Sequence, residues 1–143
     1  MPNYLRSDAL AREAPAKPMR GQRVLDKAAQ DAERHRIERR AKAEVRKRDG
    51  RCRWPEDHVC RGGLEAAHML DLSLGGDYDP AGMVLLCAWI HRRGPESIHG
   101  KQLKIEAETE ADAFGPLSFW RRTGPGEYVM VRRELAPFVY ERD

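Results

Sequence analysis

All three cysteines of the chain, together with His58, His68, His91 and His99, fall between Gly50 and Gly100. Thiols and imidazoles hold divalent metals, and a neutral imidazole can take up a proton near pH 7. Between them lie two glycine-rich turns and the apolar run Met83-Val84-Leu85-Leu86-Cys87. A fixed ion beside a proton acceptor is what phosphodiester hydrolysis requires. One activates water; the other neutralises the phosphate and assists the departing 3′ oxygen.

Composition limits what can position these groups. The chain has 143 residues, 34% of them charged and 7% aromatic, so its core must be small. Chains with little apolar area to bury often add a metal as a staple. An odd number of cysteines cannot all pair internally. The first twenty residues are broken by charge and proline, with no apolar leader, and no run approaches a membrane span. The expectation is a soluble protein of the reducing cytoplasm with thiols free for metal.

The net charge of +3 hides an asymmetry. Residues 20–53 carry 13 Lys or Arg against 6 Asp or Glu, whereas residues 54–143 carry 10 against 15. A basic arm on a mildly acidic body suits a polyanion such as DNA. It also suits a solvated helix with internal pairs such as Glu38–Lys42 and Glu44–Arg48.

Four segments follow. Residues 1–20 hold three prolines and read as a flexible N-terminus. Residues 21–49 read as a basic helical arm, free of proline, glycine-poor and rich in Ala, Arg, Glu and Lys. Its apolar stripe is thin and mostly alanine, which predicts weak docking. Asp49-Gly50 ends it. Residues 50–105 form a compact centre: a strand or strand edge at 64–70, a turn at 74–77, the run 83–87, and a short helix at 88–93 stopped by Gly94-Pro95. Residues 106–143 form a β extension. Candidate strands lie at 102–107, 117–123 and 128–135, and Gly124-Pro125-Gly126-Glu127 turns between the last two. The class is α+β.

The centre resembles the HNH endonuclease family. The likeness covers residues 46–105 and rests on Arg48-Asp49-Gly50-Arg51-Cys52, on Leu64-Glu65-Ala66-Ala67-His68-Met69, on the loop Gly75–Pro80, and on Met83–His91 with its Leu-Cys-x-x-x-His ending. It is nearest to small phage-type members. It implies a ββα-metal core, a β-hairpin and helix around one ion, flanked here by the long basic helix and a C-terminal β-hairpin or meander. It implies His68 as general base and His91 as metal ligand. His99, carried back by the Gly94-Pro95 turn, would be a second ligand, and Asp71 or Asp77 could add oxygen suited to Mg²⁺ or Mn²⁺. Ni²⁺ and Zn²⁺ are alternatives. Arg46, Lys47, Arg48, Arg92 and Arg93 would hold DNA phosphates. A homodimer or a phage packaging partner is compatible with the likeness.

The chain departs from the pattern at three positions. Ala67 stands where the family has a metal ligand, Gly82 where it has the central Asn, and Pro95 where it has the last ligand. A zinc- and DNA-binding module that kept the scaffold and lost catalysis is therefore the alternative. Many relatives also carry a structural zinc on two Cys-x-x-Cys pairs. Here Pro55 and Ile90 replace the second cysteine of each. Cys52, His58, Cys60 and Cys87 remain as a Cys₃His set at irregular spacing. The other reading makes Cys87 a small core residue and leaves Cys52 and Cys60 as free thiols.

Overall fold

The computed structural model describes residues 20–69 and 77–142. The fold is α+β, with one long helix and two small antiparallel sheets. The chain divides into two compact units, Met1–Arg34 and His35–Asp143.

Helix α1 (Arg20–Asp49) forms where the residues are strong helix formers and no proline intervenes. Gly50, at φ +65°, ends it, and its N–H returns to the Arg46 carbonyl at 2.9 Å. The expected weak docking does not hold for its last turns. Ala41 and Val45 are buried against Ala66, Met83 and Leu85, because alanine lets the helix approach the strands closely. Asp49 is 0% exposed. Its carboxylate accepts from Leu85 N–H at 2.9 Å and from Arg48 Nε at 2.7 Å. Arg53, also buried, reaches Asp49 at 3.4 Å and Glu134 at 2.9 Å. A residue read as turn chemistry thus anchors the helix to the body.

Strands β1 (Leu64–His68) and β2 (Met83–Cys87) pair antiparallel, with Glu65 opposite Leu86 and His68 opposite Met83. All five residues of β2 are buried, since both faces of the hairpin are covered. Met83 and Leu85 meet α1, and Val84 and Leu86 join Trp54, Ile90, Leu117 and Phe119 in the main core. After Ala88 the chain turns once as a π-helical segment, Trp89–Arg93. Gly94 closes it by donating to the Trp89 carbonyl at 2.8 Å. A Cβ at Gly94 would lie 2.7 Å from that oxygen, so the close approach requires glycine.

The second sheet has the order β3 (Leu103–Ala107), β4 (Leu117–Gly124), β5 (Glu127–Arg133). The predicted hairpin turn falls where expected, with Gly124 opposite Glu127 and Gly126 at φ +69°. β5 is an edge strand, and a bulge between its pairings with Phe119 and Trp120 twists it. Residues 1–19, including most of the expected N-terminal segment, lie outside the described residues, as do Asp71 and most of the 74–77 turn. No described helix is long and apolar enough to cross a membrane.

Candidate metal centre and histidine pair

The segment between α1 and β1 has no regular secondary structure, and it carries three of the four Cys₃His residues. Cys52, His58, Cys60 and Cys87 offer ligand atoms that all lie within 4.8 Å of one another. The Sγ atoms of Cys52, Cys60 and Cys87 stand 3.5, 3.3 and 3.6 Å from His58 Nε2. A tetrahedral zinc with Zn–S of about 2.3 Å and Zn–N of about 2.0–2.1 Å would set that separation at about 3.6 Å. The donors therefore fit a zinc-like ion.

The surroundings fix the donors. His58 Nδ1 is 2.7 Å from the Glu56 carbonyl, which can only accept. The ring proton therefore sits on Nδ1, and the Nε2 lone pair faces the thiols. Glu56 is held in turn by Arg121 of β4, with Nη1 at 2.9 Å and Nη2 at 2.7 Å from its two oxygens. That guanidinium keeps the Glu56 carboxyl below the usual carboxylate range. Cys52 Sγ accepts from Cys87 N–H at 3.3 Å. Burial pushes the Cys52 thiol up to about 12 and raises Cys60 as well. Burial also opposes ionisation of Cys87, but lowering causes led by the backbone N–H groups of Ile90 and Arg61 outweigh it and hold that thiol near 7. A bound cation would relieve the crowding of three such groups.

The second cluster grows from the turn after β2. The N–H groups of Ala88 and Trp89 donate to the carbonyls of Gly63 and Arg61, at 2.9 and 3.1 Å. This seats the turn on the segment that carries Cys52, His58 and Cys60. The chain then doubles back beyond Gly94-Pro95, and His99 N–H bonds to the His91 carbonyl at 3.0 Å. The two rings meet edge to face with centroids 4.5 Å apart. Sequence reasoning missed Glu65. Its carboxylate accepts from His91 Nδ1 at 2.6 Å and from Arg92 Nε and Nη2 at 3.0 and 2.7 Å. Its proximity in the fold comes from the hairpin, 26 residues along the chain from His91. Arg92 leads the causes that hold the Glu65 carboxyl down to about 2, with His91 adding to it against burial. Burial, reinforced by His99, lowers His91 and so favours its neutral form. Glu65 thereby leaves His91 Nε2 open as a ligand.

The remaining candidates divide. His68 ends β1 with its ring 5.1 Å from that of Tyr78, edge to face. Strand alternation puts Glu65 and Ala67 on one face of β1, with Ala66 and His68 on the other. His68 is therefore not gathered with His91 and His99 into a three-ligand group. Among the described residues the Cys₃His set is the group that clusters so tightly. Arg93, Arg46 and Lys47 are exposed, and Arg92 is engaged by Glu65. Arg48 faces inward: it bonds Asp49, the Pro80 carbonyl at 2.7 Å and the Met83 carbonyl at 2.5 Å, and lies over the Phe114 ring. It serves to tie α1 to β2. No family model, no curated protein and no solved structure matches this chain.

Proposed function

We propose that the chain is a metal-dependent DNA endonuclease of the HNH type, with a separate Cys₃His centre that holds a structural zinc. One observation carries the reading. A β-hairpin leads directly into a helical turn bearing His91, whose Nδ1 is held by Glu65 and whose ring meets that of His99 at 4.5 Å. Two imidazoles with one nitrogen fixed in place suit Zn²⁺ or Ni²⁺, and an oxygen from Asp71, a further candidate ligand, would suit Mg²⁺ or Mn²⁺. An ion there would supply charge neutralisation on the phosphate and on the departing oxygen. The family resemblance gives His68 the role of base; because His68 lies on the opposite face of β1 from Glu65, that role rests on the resemblance and on the variant below. Glu65 would orient His91, and the exposed Arg93 would hold a flanking phosphate.

The second reading, a DNA-binding module without hydrolysis, is favoured by a specific observation: His68 and Glu65 lie on opposite faces of β1. Nicking of supercoiled plasmid in Mg²⁺ or Mn²⁺ separates the two. His68→Ala should lose about 10²–10⁴-fold in rate, as expected for a positioned base, while duplex binding survives. A wild-type protein that binds duplex yet cuts with none of Mg²⁺, Mn²⁺, Ni²⁺ or Zn²⁺ would leave only the binding module. A host-cell cytoplasmic setting, a phage role and a homodimer accompany the endonuclease reading.

A further inference from the structure

The helix face turned away from the body carries charge that is not paired among the described residues. With 3.6 residues per turn, positions 39, 40, 43, 46 and 47 fall on the side of α1 opposite Ala41, Val45 and Asp49. Arg39, Arg40, Arg46 and Lys47 are all exposed there, and Ala43 between them is too short to interrupt the stripe. The nearby ion pairs take other residues: Lys42 with Glu38, and Arg48 with Asp49. Among the described residues, no carboxylate pairs with any of the four. Of the nearby acidic residues, Glu38 sits on the body side, paired with Lys42, and Glu44 borders the stripe beside Arg40 and Lys47.

We infer that this stripe is the surface that grips duplex DNA along its phosphate backbone. The partner follows from charge density. Four cations spread over about 12 Å of helix, at about 1.5 Å per residue, need a continuous run of negative charge. Duplex DNA supplies one phosphate per about 1.7 Å of its axis, whereas an acidic protein surface offers scattered carboxylates. The stripe also contains no large apolar side chain, which a protein-binding helix would use as an anchor. Arg48, although adjacent in sequence, is excluded because it is bonded into the core. The contacts are to backbone, so the stripe adds affinity and register without sequence preference. The inference takes from the proposed function only that duplex DNA is the substrate; it does not need the histidines to hydrolyse anything.

The test is the salt dependence of binding to a fluorescent duplex of about 25 base pairs, read by anisotropy without added Mg²⁺. Each phosphate contact contributes about 0.9 to the slope of log K against log [salt]. Replacing Arg39, Arg40, Arg46 and Lys47 together by alanine should lower that slope by about 2–4 and weaken binding more than tenfold at 0.1 M salt. Alanine is the best helix former and all four sites are exposed, so the helix should survive, as circular dichroism will verify. A control pair, Arg132→Ala with Arg142→Ala, should change the slope by less than about 0.5. An unchanged slope in the fourfold variant, no duplex binding by the wild type, or loss confined to anionic vesicles would overturn the inference. Plasmid nicking is measured in parallel. A fallen slope with no nicking by the wild type keeps the surface and removes the hydrolysis. An unchanged slope with active nicking does the reverse.

Discussion

Replacing Asp49 by alanine should cost the domain a large part of its stability. Its carboxylate is fully buried and receives Leu85 N–H, two nitrogens of Arg48 and one of Arg53. Without it the Leu85 amide, in the centre of β2, loses its side-chain acceptor, at about 1–3 kcal/mol. Arg53 keeps Glu134 at 2.9 Å and the Ala113 carbonyl at 3.3 Å but loses one counter-charge while buried. Breaking a buried ion pair from one side typically costs about 3–5 kcal/mol, a figure that overlaps with the first and is not added to it. A loss of about 4 kcal/mol, with a urea m-value of about 2 kcal/mol/M, moves the unfolding midpoint down by about 2 M. The measurement is urea unfolding followed by tryptophan fluorescence at a fixed zinc concentration. Asp49→Asn keeps an acceptor for Leu85 and loses only charge, so it should fall between the two. A midpoint shift below about 0.5 M for Asp49→Ala would refute the anchoring role.

Other outcomes follow from the two clusters. Cobalt titration of metal-free protein should give one tetrahedral, thiolate-rich site. Cys60→Ser, at an exposed ligand, should weaken that site with little disturbance of packing, and a wild type lacking the thiolate absorption band would remove the centre. Strong chelation should lower the thermal midpoint of the wild type more than that of Cys60→Ser, as read by calorimetry. Glu65, whose folded carboxyl sits near 2 against an ordinary 4.5, adds stability above about pH 4.5 and loses it as pH falls toward 2. Glu65→Gln should therefore flatten the pH dependence of the urea midpoint in that acid window; an unchanged curve would show that its ion pairs contribute nothing.

Much of the architecture was legible because it depends on local chemistry. The helix follows from a proline-free stretch of Ala, Arg, Glu and Lys, and the last hairpin from Gly-Pro-Gly between two β-rich runs. What escaped sequence reasoning depends on partners distant along the chain. Asp49 looked like an ordinary turn residue, and only the arrival of Leu85 and Arg53 makes it an anchor. Arg48 looked like a phosphate contact, and two carbonyls more than thirty residues away claim it. Glu65 lay in the strand motif with no role of its own, yet the hairpin delivers it to His91 and Arg92. The irregular spacing of Cys52, His58, Cys60 and Cys87 was ambiguous along the chain, but the four become neighbours once β2 runs past the segment after α1.

That segment has a double duty. The stretch holding Cys52, His58 and Cys60 also supplies, through Arg61 and Gly63, the carbonyls on which the His91 turn rests. Arg121 grips Glu56 on that stretch and, at 3.0 Å, Glu96 on the return to His99. The Cys₃His cluster and the His91 turn therefore share one stretch of backbone as support. On the proposed reading, a chain folded without zinc would lose part of the footing beneath His91.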